Sequence, residues 1–177
     1  MSKLYDDIVS QRGSFERLVA KIPGFKGYHE KNARRTADDM LRDHIATQIS
    51  LRVNEFERVE KLILNNMGMS YMTRTRDVKG KIRMFHDKIK TATPGYSGMW
   101  AQMKIGAEEL DEIYAFDEAM LRYLDQLDVV IDALKEAALK KEGVDAGIVA
   151  IDDVVSEAIE AYTLRDDVLT GFSDGAL

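Results

Sequence analysis

Apolar residues recur along this chain at steps of three and four, the spacing that places them on one side of a helix. Over 107–141 the series Leu110, Ile113, Asp117, Met120, Leu124, Leu127, Ile131, Leu134 and Ala138 runs without a miss. It predicts the seam of a bundle helix packed like a coiled coil. Ala37, Leu41, Ile45, Ile49, Val53, Phe56, Val59 and Ile63 predict another helix from His29 to residue 64, about 54 Å long at 1.5 Å per residue. Met72, Val78, Ile82, Phe85 and Ile89 predict a third over 69–91, and Ile148, Ile151, Val155, Ile159, Tyr162 and Leu169 one over 147–170. At the start, Leu4, Ile8, Phe15, Leu18 and Ile22 predict a helix over 3–22, with Gln11 filling the missing turn and Gly13 read as a slight bend.

The breaks are chemical. Pro23-Gly24, Asn65-Asn66-Met67-Gly68, Thr93-Pro94-Gly95 and Gly143 each fall where a stripe ends, and these residues stop helices. The pattern therefore predicts an all-α fold: an antiparallel up-down bundle of four to five long helices with coiled-coil-like packing. One domain is expected over 1–170, with a frayed tail at 171–177. The stretch 92–106 is the one connection long enough for an extra turn or a crossover.

Composition narrows the chemistry. With 2 prolines in 177 residues a many-turned sandwich or barrel is disfavoured, and with no cysteine there is no disulfide framework, zinc–thiolate site or thiol nucleophile. MSKLYDDIVSQRG lacks the layout of a signal peptide and no apolar run nears the length of a membrane span, so a cytoplasmic protein is expected. Charge is unevenly spread: residues 1–105 hold 20 of the 25 Lys and Arg but 12 of the 31 Asp and Glu, leaving +8 there and −14 beyond. Basic and acidic helices packed side by side account for this, and a basic surface for an anionic partner is the alternative.

Both prolines head the same string, Pro23-Gly24-Phe25-Lys26-Gly27-Tyr28 and Pro94-Gly95-Tyr96-Ser97-Gly98-Met99. Taken alone, each reads as a helix end with its aromatic folded back on the last turn. In an up-down bundle the two loops share one end. Phe25, Tyr28, Tyr96, Met99 and Trp100 would then form an apolar group ringed by Lys26, Lys31, Arg34, Arg35 and Lys104, a surface for a protein partner.

Asp117 sits on the seam, where a lone carboxylate is costly unless paired. It is expected to pin the register or to meet an inward Arg of the basic helices, with a ligand role as the alternative. Glu108, Glu109, Asp111, Glu112 and Glu118 read as a solvated face whose first turn suits the helix dipole. Di-iron bundles carry Glu-x-x-His, yet Lys26, Leu41 and Arg83 stand three before His29, His44 and His86, so that motif is missing. No cofactor or metal is expected. Residues 74–90 hold Arg74, Arg76, Lys79, Lys81, Arg83, Lys88 and Lys90 against Asp77 and Asp87. This stripe fits anionic lipid or nucleic acid. Without an aromatic stacking series, pairing with the acidic fourth helix is the preferred reading and nucleic acid the weaker one.

The strings IPGFKGYHEKNARRTADDMLRD and TPGYSGMWAQMKIGAEELDEIYAFD resemble those of an uncharacterised family of prokaryotic helical proteins, over most of residues 15–165. Some members are encoded near stomatin-like membrane-scaffold or zinc-ribbon proteins. The resemblance implies a helical bundle in which the two loops form one site, and it implies no activity. Gly106 and Ala107 depart from the family's Lys- or Glu-rich start of the fourth helix. The functional expectation is an interaction or scaffold module that docks a protein or a membrane-associated complex through the paired loops, with self-association as a further option. A carboxylate-based metal- or small-molecule-binding enzyme around Asp117 is the second reading, and an anionic-surface binder using 74–90 the third.

Overall fold

The computed structural model describes residues 2–91 and 96–174, with backbone alone at 96, 97, 173 and 174. The protein is all-α, and no strand occurs among the described residues. Its helices are α1 (Lys3–Val9), α2 (Ser14–Lys21), α3 (Arg34–Met67), α4 (Met72–Lys90), α5 (Tyr96–Gln102), α6 (Ala107–Lys140) and α7 (Val144–Asp174), with 3-10 turns at Lys31–Ala33 and Gly68–Tyr71. No helix among the described residues is long and apolar enough to cross a membrane.

The long helices follow the stripes. Every seam position of α6 from Leu110 to Ala138 is buried, as is every inward position of α3 from Ala37 to Ile63. α6 begins at Ala107, where the Gly106 N–H donates to the Glu109 carboxylate at 2.9 Å, closing one of the open donors of the first turn. α7 runs on to Asp174, past the boundary placed at 170; residues 175–177 of the expected tail lie outside the described residues.

The single helix expected over 3–22 is two. The Ser2 hydroxyl caps α1 by accepting the Tyr5 N–H, and Ser10 closes it. Gly13, at φ +69°, then opens α2. Ser10, Gln11, Arg12 and Gly13 are all exposed. With no apolar side chain there to hold the turn against the core, the left-handed glycine sets a corner instead of a bend.

α3, α4, α6 and α7 form the bundle. α3 packs on α4 and α6, and α7 packs on α6 and α4, so α4 and α6 stand on a diagonal. Cross-links fix the directions. Arg52 of α3 reaches the Leu124 carbonyl and Asp128 of α6 while Asn66 reaches the Ala138 carbonyl, so α3 and α6 run parallel. Arg74 and Lys81 of α4 meet Asp145 and Asp152 of α7 in the same order, so those two are parallel as well. α3, α4, α6 and α7 go up, down, up and down as expected, but only the α3–α4 and α6–α7 hairpins make antiparallel neighbours. α2, with Arg17 on Glu118 and Lys21 on Asp125, runs parallel to α6 and so to α3, where alternation was expected. The connection from α4 to α6 crosses the end of the bundle, and α5 within it packs on α7, α3 and the 3-10 turn before α3. α1 and α2 lie outside, against α6.

The basic stripe of α4 is largely used internally. Arg74 pairs with Asp145, Lys81 with Asp152, Lys79 with Glu60 and Arg83 with Glu57, while Lys88 lies 6.0 Å over the Tyr162 ring. Intramolecular pairing therefore holds for four of the five candidate anion-binding residues, Arg76 remaining exposed. The partners sit on α3 and α7. The expected neighbour, α6, stands across the diagonal.

Candidate functional site

The end of the bundle crossed by α5 is organised around Tyr28. Pro23 and Gly24 stop α2, and Gly27 at φ +76° turns the chain inward. A Cβ on Gly27 would lie 2.7 Å from Phe15 Cε2 and well inside contact with the Tyr114 hydroxyl, so only glycine lets the loop pass. The Tyr28 N–H donates to Tyr114 Oη at 2.8 Å, and Arg34 Nε donates to the Tyr28 carbonyl at 2.8 Å. Its ring stacks on Trp100 at 5.1 Å between centroids and on Tyr114 at 5.5 Å, with Phe25 at its edge. Aromatic contacts of this kind add about 0.5–1.5 kcal/mol each beyond area burial.

Below the ring lies a buried charged cluster, open to water only at its Arg42 end, where that side chain also reaches the exposed Asp39. The Tyr28 hydroxyl donates to Asp117 Oδ2 at 2.6 Å, and Arg165 Nε donates to Asp117 Oδ1 at 2.6 Å. Arg165 Nη2 reaches Asp38 Oδ1 at 2.7 Å, and Arg42 Nε reaches Asp38 Oδ2 at 2.8 Å. Tyr28 and Asp117 are 0% exposed, Asp38 and Arg165 1%. Two carboxylates and two guanidinium groups balance, which is what permits their burial. Burial pushes the Asp117 carboxyl above its ordinary value, against the pull of Arg165 and the Tyr28 hydrogen bond, and drives the Tyr28 phenol well up.

These positions correct several expectations. Phe25, Tyr28 and Trp100 are 3%, 0% and 2% exposed, so the aromatic group is interior and offers no docking surface. The two loops do meet, through the Tyr28–Trp100 stack, but they meet inside because α5 lies across the bundle end. Arg34 is buried and bridges the Tyr28 and Met103 carbonyls; it is a brace, not part of a basic ring. Lys26 and Arg35 are exposed and Met99 half-buried. The Tyr96 side chain and the Pro94-Gly95 corner lie outside the described residues. Asp117 is paired, as expected, but its Arg comes from the acidic α7. Arg165 was missed there although it fills the vacant station between Tyr162 and Leu169. Both Asp117 oxygens are taken up in the buried cluster, and among the described residues no group of three or more His, Asp or Glu is placed to hold a metal. A catalytic centre on Asp117 therefore has no support in the geometry.

The wall of this hub faces solvent as an open groove of about 980 Å³ between α1, α2 and the start of α6. Phe15, His29 and Tyr114 line it as an aromatic wall, with Phe15 4.8 Å from Tyr114 and 5.6 Å from His29 between centroids. Glu16, Glu108, Asp111 and Glu112 stand around it with Arg12 and Tyr5. Tyr5 donates to Glu112, and burial together with that carboxylate lifts its phenol to about 12. Further along α6 three carboxylates have cations: Glu118 has Arg17 and Arg122, Asp125 has Lys21, Asp128 has Arg52. Glu16, Glu108, Asp111 and Glu112 make no ion pair among the described residues. No protein-family model, curated protein or solved structure matches the chain.

Proposed function

We propose that the protein is a non-catalytic interaction module that docks a protein partner in the groove between α1, α2 and α6. The observation that carries this reading is the groove itself, an open concavity with an aromatic wall and, on its rim, carboxylates that make no ion pair among the described residues. The first of the paired loops serves docking from beneath. It supplies His29 directly and, through the Tyr28 N–H, holds Tyr114 in place. A wall braced by hydrogen bonds and stacked rings loses little conformational freedom when a partner arrives, which favours binding.

A photo-crosslinking residue at Gln11, exposed on the groove, should capture a discrete partner protein in the cells of origin. The same residue at Val129, 67% exposed and far along α6, should not. Identical products from both positions, or none from Gln11, would defeat the reading.

A further inference from the structure

We infer that the occupant of the groove is an arginine-bearing basic segment of the partner protein. This rests on the docking reading above and adds the chemistry of the partner. Glu108, Asp111 and Glu112 are spaced i, i+3 and i+4 on α6, neighbours on a single helix face, and Glu16 stands on α2 across the groove. Four carboxylates against Arg12 leave the opening negative. The acidic first turns of α6 and α2 suit their helix dipoles and account for Glu108 and Glu16, but Asp111 and Glu112 lie beyond the first turn of α6.

The wall selects among cations. Guanidinium groups stack flat on aromatic faces while donating in-plane hydrogen bonds to carboxylates, and an ammonium ion does only part of this. Phe15 and His29 supply the faces, backed by the buried Tyr114 ring, and Glu108, Asp111 and Glu16 the acceptors within one opening. The groove is open to solvent and about 980 Å³ in volume, at the upper end of what single small molecules fill, so a chain segment fits it better than an isolated small amine.

The test uses the purified full chain and three fluorescein-labelled peptides of one sequence, with Arg, Lys or Glu at the charged positions, read by anisotropy at low salt. The Arg peptide should bind more tightly than the Lys peptide, the Glu peptide should not bind, and binding should weaken as salt rises. Glu108→Lys combined with Asp111→Lys, both exposed, should weaken the Arg peptide about tenfold, and His29→Ala should narrow the Arg-over-Lys preference. Absence of Arg-peptide binding, or binding that the double reversal leaves unchanged, would overturn the inference. Displacement by spermine as effective as by unlabelled Arg peptide would also overturn it, in favour of a small polyamine. If the Gln11 crosslink is found and the peptides fail, only the partner's chemistry falls; if both fail, the docking reading falls with it.

Discussion

The Tyr28 hydroxyl lies 2.6 Å from Asp117 Oδ2, closing a contact between a surface-type loop and the middle of the fold's most regular seam across 89 positions of chain. Because both groups are fully buried, removing the donor leaves an acceptor that water cannot reach. Tyr28→Phe keeps the ring stacks and the backbone bonds while deleting this interaction and the longer bond that Arg165 Nη2 donates to the hydroxyl at 3.4 Å. It should cost about 1–3 kcal/mol of stability, read as a lower urea midpoint with an unchanged slope. A neutral result would mean that the Asp117 carboxylate finds a replacement donor.

Arg165 serves two carboxylates, Asp117 and Asp38, so its loss is the harshest single change the hub offers. Arg165→Met should cost about 3–5 kcal/mol, the usual consequence of stranding a buried charge. Adding Asp117→Asn should recover part of the loss, giving a coupling of about 0.5–3 kcal/mol in a double-mutant cycle. Additive effects would show that the two side chains do not depend on each other.

Gly24 and Gly27 both hold positive φ, +80° and +76°, but their surroundings differ. Alanine at Gly24 meets nothing within 4 Å and should cost only the backbone penalty of about 1–2 kcal/mol. Alanine at Gly27 adds a clash with Phe15 and with a Tyr114 hydroxyl already held by the Tyr28 N–H. Steric crowding of a packed site costs about 1–3 kcal/mol more. Thermal melts of the two variants compare them directly, and equal losses would refute the crowding argument.

What could be read from the chain beforehand follows from which physical signal is local. The three-and-four spacing of Leu110 to Ala138 and of Ala37 to Ile63 depends on no other part of the molecule, and all these residues are buried as expected. The corner at Gly13 escaped because a stripe records which residues face inward and says little about whether the backbone between them stays helical. The aromatic loops were misplaced for a different reason. Pro-Gly strings sit on surfaces by habit, and only the diagonal passage of α5 turns this end into interior. The Asp117 partner was legible in principle, since Arg165 falls on the inward stripe of α7, but charge counting by region pointed to the basic helices instead. The groove had no linear signature, because Phe15, His29 and Tyr114 come from three separate segments.

Two carboxylates outside the hub should shift stability with pH in opposite senses. Burial alone would raise the Glu60 carboxyl, but Lys79 at 2.5 Å and the Thr75 hydroxyl at 2.9 Å outweigh it and hold Glu60 below its ordinary value of 4.5. Its contribution is therefore present above that value and is lost as pH falls through the lowered one, because the unfolded chain then binds the proton first. Asp166 is the reverse. Burial raises it above 3.8 despite Arg165 and Lys88, and its Oδ1 is buried with no hydrogen-bond partner among the described residues. The folded chain binds the proton first, so stability falls as pH rises from 3.8 through the raised value, and the cost persists at neutrality. Asp166→Asn should then stabilise the protein at neutral pH by about 1 kcal/mol, the cost of keeping a charge half out of water, and the gain should vanish below pH 3.8. Glu60→Gln should destabilise at neutral pH and flatten the acid side of the profile. Urea titrations across the acid range separate the two, and an Asp166→Asn variant weaker than the parent at neutral pH would show that its carboxylate is satisfied after all.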